Sequence, residues 1–277
     1  GDLEAAIDCF KQAIKINPDF AEAYNNIGNA LKDKGDLEAA IDNYKQAIKI
    51  KSDYADAYNN IATALKEVTF TKLSSGFIEI IILLLDQKTT CSPIDIAPAA
   101  ISLLKLEPAL KKLVGKHSLG TLGRSLQETL TTLSESSLLL KLMSVCPIPD
   151  LELESILVDI RLAILSSVTE TFASPAILRF QSALAMQCFT NEYIYNQTDK
   201  ETELLEDLKN VIEKILLNGQ QPSPQFILCL ASYKALHRYK WFDSLTINTD
   251  IEEVFVRQVL EPKEESRLKA NIPTLLT

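Results

Sequence analysis

The string GDLEAAIDCFKQAIKINP begins at Gly1, and GDLEAAIDNYKQAIKIKS begins at Gly35. A repeat at this offset, about 34 residues, leaves few architectures open. It is the length of one helix pair, and such a pair must stack on a neighbour to bury its apolar side. When residues 1–34 are aligned with 35–68, roughly two-thirds of positions are identical. The exchanges are mild: Phe10 for Tyr44, Phe20 for Tyr54, Glu22 for Asp56. Small residues at Gly28 and Ala47 let helices approach closely, while Tyr24 and Tyr44 fill the gaps between them. Gly35 supplies the backbone freedom for a tight turn.

These residues resemble the tetratricopeptide repeat family. AEAYNNIGNALKDKG carries Tyr24, Ile27, Gly28 and Leu31 at the signature positions of that repeat's first helix. DLEAAIDNYKQAIKI carries Ala40, Tyr44 and Ala47 at those of the second. The pattern then decays: Pro18 is matched by Ser52, Gly28 by Ala62 and Gly35 by Thr69. The resemblance covers residues 1–68. Gly1 falls inside a repeat, so we read the chain as a fragment with further repeats upstream and a following domain that caps the array.

From Thr69 onward the chain stops repeating but stays helical. Ser92-Pro93, Ser174-Pro175 and Ser223-Pro224 each precede an apolar-periodic run, with Ser as N-cap and Pro at the first helical position. Thr198-x-x-Glu201 and Thr249-x-x-Glu252 read as capping boxes. Leu153, Ile156, Leu157, Ile160 and Ile164 share one helical face; so do Leu204, Leu208, Val211, Ile212 and Ile215, in a helix that stops at Asn218-Gly219. No run of strict alternation is convincing, and DSLTINTD reads at most as a short extended link. The fold class is therefore all-α: a short solenoid of helix pairs over 1–68, then an α-helical domain over 69–277 with eight to ten helices. TFTKLSSG and the stretch at 115–125 read as linkers, and CPIPD places a joint near 146–150.

The strings LLLKLMSVCPIPDLELE, LRFQSALAMQCFTNEYIYN and PSPQFILCLASYKAL are similar to the helical middle region of a family of bacterial proteins. Those proteins carry N-terminal tetratricopeptide repeats and a C-terminal S-adenosylmethionine-dependent methyltransferase domain. The resemblance implies that the natural chain continues beyond NIPTLLT into that domain. The sequence has no Gly-rich loop after a strand, which a Rossmann-like cofactor site would need.

A net charge of −9 argues against a broad nucleic-acid surface and against docking on anionic lipid. The longest apolar run, IEIIILLLD, contains Glu79 and is too short to span a bilayer. Cys9, Cys91, Cys146, Cys188 and Cys229 are odd in number and lack C-x-x-C spacing, so they read as buried, reduced thiols of a cytoplasmic protein. His117 and His237 have no ligand-spaced neighbour, which speaks against zinc, and no cofactor is called.

Several local candidates compete with plain structural roles. The glycines, Lys116 and Ser118 of GKHSLGTLGRS lack phosphate-loop spacing and a preceding strand, so a flexible link is favoured. Cys188 has no nearby histidine base in sequence and sits one turn after Leu184, which favours the core. Glu192, Tyr193 and Tyr195 read either as a polar pocket or a contact with a following domain, or as a partly buried helix end whose hydroxyls reach water, and the last is preferred. Tyr233, His237, Arg238, Tyr239, Lys240 and Trp241 mix basic and aromatic side chains as base-stacking surfaces do, but a helix end whose cations complement its dipole is the commoner case.

The strongest functional signal is the asparagines. Asn25-Asn26 and Asn59-Asn60 lie inside a helix, where Asn is a poor former, and Asn29 follows one turn after Asn25. The family resemblance implies that the first helix of each repeat lines a concave groove. In the similar repeats of protein O-linked N-acetylglucosamine transferases, an asparagine ladder on that face holds the backbone of an extended peptide, and Asn26 and Asn60 match the ladder position. A side-chain amide carries both donor and acceptor, so it can pair with any peptide unit. The alternative is that these amides satisfy neighbouring backbone or face water. The resulting expectation is a non-catalytic protein-interaction module whose groove residues are Asn25, Asn26, Asn29, Asn59 and Asn60, with a protein or peptide partner. The competing expectation is a substrate-recruiting region for a methyltransferase domain beyond residue 277.

Overall fold

The computed structural model describes residues 2–87, 92–118, 126–170 and 173–265, and divides into two compact units, Gly1–Leu103 and Leu104–Thr277. Among the described residues the regular elements are all helical.

The first unit holds α1 (Asp2–Ile16), α2 (Ala21–Asp33), α3 (Leu37–Ile50), α4 (Ala55–Leu65), α5 (Ser75–Asp86) and α6 (Pro93–Leu104), the last ending at the boundary. The repeat dictates the first four. At the α2–α3 turn Gly35 takes a φ of 83°, its N–H reaches the Lys32 carbonyl at 2.9 Å, and Asp36 N–H reaches Leu31 at 3.0 Å. The carbonyls left over at the end of α2 are thereby satisfied. Asp36 then caps α3 by accepting from Ala39 N–H at 3.1 Å, so two residues both stop one helix and start the next.

The compact unit that contains the repeats runs on past Val68 to Leu103. The reason is burial. Residues 69–74 tie back to α6 through Phe70 N–H and Ser102 Oγ at 3.0 Å, the Phe70 and Phe77 rings lie 4.6 Å apart, and Lys66 pairs with Asp95 at 3.3 Å. The apolar run Ile80, Ile81, Leu84 and Leu85 of α5 is buried in this unit, as are Ile96 and Ile101 of α6. No described helix is long and apolar enough to cross a membrane.

The second unit holds α7 (Pro108–Ser118), α8 (Leu126–Ser134), α9 (Ser137–Val145), α10 (Leu151–Ser167), α11 (Pro175–Thr190), α12 (Asp199–Leu217), α13 (Pro224–Ala231) and α14 (Glu252–Phe255). Two 3₁₀ turns, Leu236–Arg238 and Phe242–Ser244, precede α14, and a π turn, Val256–Leu260, follows it. α11 is the centre of this unit: Phe180, Ala185, Met186, Gln187 and Cys188 are fully enclosed. All three Ser-Pro pairs start helices, and Ser174 caps α11 through Ile177 N–H at 3.4 Å. The Thr198–Glu201 capping box is present on α12 in both directions, at 3.2 and 2.9 Å. α12 stops where Gly219 adopts a φ of 72°.

Three local expectations change. The stretch read as a linker from Gly115 is helical through Ser118, and its remainder, 119–125, lies outside the described residues. Thr249 does not cap α14: Ile251 is the N-cap, and Asn248 organises the preceding turn by accepting from Asp250 N–H and Ile251 N–H at 3.1 and 3.2 Å. The joint at 146–150 is a pinned connection. Ile148 is buried, Asp150 caps α10 and pairs with Lys105 at 2.7 Å, and the Gln187 amide bridges Cys146 O and Ile148 N–H at 3.0 Å each when its nitrogen faces the carbonyl.

Candidate functional site

The asparagine face is built by the packing of α2 on α3. Gly28 leaves room for the Tyr44 ring: a Cβ there would meet ring carbons at 2.5 to 2.9 Å. Tyr44 is fully buried, and its hydroxyl donates to Asn29 Oδ1 at 2.8 Å. Burial, with the negative charge of Asp33 behind it, pushes that hydroxyl up to about 12, so it remains a donor at neutral pH. The small residue on α2 thus sets where Tyr44 lies, and Tyr44 sets how Asn29 is turned.

The same packing brings successive repeats into register. Asn60 on α4 donates from Nδ2 to Asn25 Oδ1 on α2 at 2.9 Å. Asn25 is only 5% exposed, so its carbonyl oxygen is committed to the interior rather than to an outside partner. Asn26 and Asn60 are half-buried and Asn59 is exposed. Neither Asn26 nor Asn59 forms a side-chain hydrogen bond with another described residue. The five asparagines therefore divide. Asn25 braces Asn60, the Asn29 oxygen serves Tyr44, and Asn26, Asn59 and the Oδ1 of Asn60 form no side-chain hydrogen bond with another described residue.

In the second unit the structure brings together residues that sequence reading separated. Arg161, on the apolar face of α10, is 2% exposed and is among the largest fully buried side chains of the described residues. Its guanidinium lies 4.2 Å from the Tyr233 ring centre, 5.4 Å from that of Tyr195, and 3.4 Å from both Glu201 Oε1 and the Asn196 carbonyl. Tyr233 donates to the same Glu201 oxygen at 2.9 Å. Burial opposes the Glu201 carboxylate, but the Thr198 N–H, the Tyr233 and Thr198 hydroxyls and the Arg161 charge outweigh it and hold the carboxyl below its ordinary range. This cluster ties α10 to α12 and to the turn that follows α13. The signal for Arg161 was available: it falls four residues after Leu157 and three before Ile164, on the buried stripe.

The remaining candidates resolve into structure. Cys188 is completely buried, and burial pushes its thiol up to about 12 against the nearby Arg161 charge, the opposite of an activated nucleophile. Glu192 and Tyr193 close α11 in left-handed backbone at a φ of 57° each, and the Tyr193 hydroxyl donates to the Ala231 carbonyl at 3.1 Å. His117 Nε2 lies 2.9 Å from Asp159, and His237 Nδ1 lies 2.7 Å from the Gln258 carbonyl. Cys146 and Cys229 are buried as expected, but Cys9 is exposed, because its position on α1 points away from the side that packs Ile7 on Ile27 and Ala30. Cys91 lies outside the described residues.

A family model described as "TPR repeat" matches residues 1–35 and 28–68. Residues 1–68 are tetratricopeptide repeats, and repeats of this kind generally mediate protein–protein interactions. No curated protein matches the chain.

Proposed function

We propose that residues 1–68 dock an extended peptide, and that Asn26, Asn29, Asn59 and Asn60 form the row that contacts its backbone. The observation that carries this reading is the Asn60–Asn25 hydrogen bond at 2.9 Å, which joins the amide-bearing faces of two successive repeats into one strip. Along that strip, donors and acceptors remain that internal partners do not use. Each amide-to-backbone bond would contribute about 0.5–1.5 kcal/mol net, so two repeats alone bind weakly and affinity grows with the number of rungs. The row reads backbone rather than sequence; side-chain preference comes from what flanks it, such as the exposed Glu22 and Asp56, each one turn before an asparagine of the row.

In this reading the chain binds rather than catalyses. The test is calorimetric titration of a peptide library hit, or of a natural partner, into the folded chain and into Asn26→Ala with Asn59→Ala. Both sites lack internal side-chain partners, so the variant keeps its fold. Affinity should fall by about tenfold, and unchanged affinity would show that the asparagines do not hold the peptide. Transfer of a labelled methyl group from S-adenosylmethionine by the purified chain would overturn the non-catalytic reading.

A further inference from the structure

The second unit carries an open groove of about 660 Å³ between one side of α12 and the segment after α13. That volume falls in the range of small-molecule sites. Along one wall run Lys234, Arg238 and Lys240, all exposed, with Tyr239 and Trp241 between and beside them. The two rings stack at 4.9 Å and 23°, and each is only 9% exposed while lining the groove.

The opposite wall does not neutralise this charge. Glu206 is already paired with Lys209 at 2.9 Å, which leaves Glu213 as the remaining carboxylate of the lining. Arg238 and Lys240 have no ion-pair partner among the described residues, and Lys234 rests over the Tyr239 ring at 5.5 Å. A chain of net charge −9 has here gathered three cations within seven residues of sequence. A helix-dipole role accounts at most for Lys234, because α13 ends at Ala231, Arg238 closes the 3₁₀ turn beyond it and Lys240 follows that turn. A second, independent feature points the same way. Trp241 lines the groove, and its Nε1–H is buried without a hydrogen-bond partner, a costly state for a polar group.

We propose that this groove binds a small anion carrying a planar ring, of the nucleotide class: the phosphate on Lys234, Arg238 and Lys240, the ring against the Tyr239–Trp241 pair. Cations beside an aromatic wall serve both halves of such a ligand. The site belongs to the second unit and stands independently of the peptide reading of the repeats.

Trp241 is the only tryptophan, so its fluorescence reports this groove alone. AMP, pyrophosphate and adenosine are titrated separately, with fluorescence corrected for ligand absorbance and calorimetry alongside. The expected result is saturable AMP binding, with pyrophosphate and adenosine each at least about tenfold weaker, and a comparable loss for AMP in K234Q/R238Q/K240Q. These three side chains are exposed, so the variant's melting curve should match the parent's. Absence of saturable AMP binding by both methods, equal binding of either half-ligand, or full affinity in the folded triple variant would overturn the proposal.

Discussion

The side-chain amide of Asn60 on α4 is hydrogen-bonded to that of Asn25 on α2, one repeat away, at 2.9 Å. The pair has a cost as well as a use. Asn25 is buried, so deleting its partner strands a polar oxygen away from water. Asn60→Ala should therefore destabilise the first unit by about 1–3 kcal/mol, even though Ala is the better helix former. Asn26→Ala and Asn59→Ala should change stability by less than about 0.5 kcal/mol. Urea melts of the three variants separate bracing from contact. Equal melts for all three would mean that the Asn60–Asn25 bond contributes nothing.

Gly28 offers a sharper test of the packing that shapes this face. Replacement by Ala gains about 1 kcal/mol of helix propensity in the abstract. Here the new methyl would sit 2.5 Å from a Tyr44 ring carbon, and Tyr44 is fully enclosed and held by Asn29. Over-packing should win, for a net loss of about 1–3 kcal/mol. Adding Tyr44→Leu should restore part of that loss, whereas Tyr44→Phe, which keeps the ring, should not. Thermal unfolding of the single and double variants measures the coupling.

What could be read from the chain alone follows the range of the forces involved. The helix pairs of 1–68, the Gly35 turn, the Asn218-Gly219 stop and the Thr198–Glu201 box were legible because each closes its hydrogen bonds within six residues. The end of the first compact unit was not. It depends on Phe70 reaching Ser102 and Lys66 reaching Asp95, contacts that no local pattern announces. The asparagine row was half legible. Sequence equivalence pairs Asn26 with Asn60, but the stacked helices bring Asn60 to Asn25, so one candidate contact residue became a brace. Arg161 escaped notice because apolar periodicity counts only apolar side chains, although its position on the stripe was in plain view.

Thiol chemistry should follow burial rather than count. Burial pushes Cys146 up to about 11 and Cys188 and Cys229 up to about 12, and all three are enclosed, so few thiolates form and reagents cannot reach them. Cys9 is exposed. Brief alkylation of the native chain, followed by peptide mapping, should label Cys9 and leave those three untouched until denaturant is added. Early labelling of Cys188 would mean that the centre of α11 opens easily.

The last prediction concerns Arg161 and Glu201. Glu201→Gln removes the carboxylate that answers a guanidinium with 2% exposure, leaving a buried charge without its counter-ion. Such losses cost about 3–5 kcal/mol. Tyr233→Phe keeps the charge pair and removes one hydrogen bond to the carboxylate, so it should cost less, about 1–2 kcal/mol. Acid adds an independent check. The Glu201 carboxyl is held below its ordinary value of 4.5 in the folded chain, so its stabilising contribution is complete above that value. The contribution is lost as pH falls through the depressed folded value, where the carboxylate takes a proton. The parent's stability should thus decline through that acid window more steeply than that of Glu201→Gln, which has no carboxylate to protonate. Urea melts at a series of pH values from neutral downward give both quantities. Parallel pH curves for parent and variant would mean that the Glu201 charge is not what holds α10, α12 and the turn after α13 together.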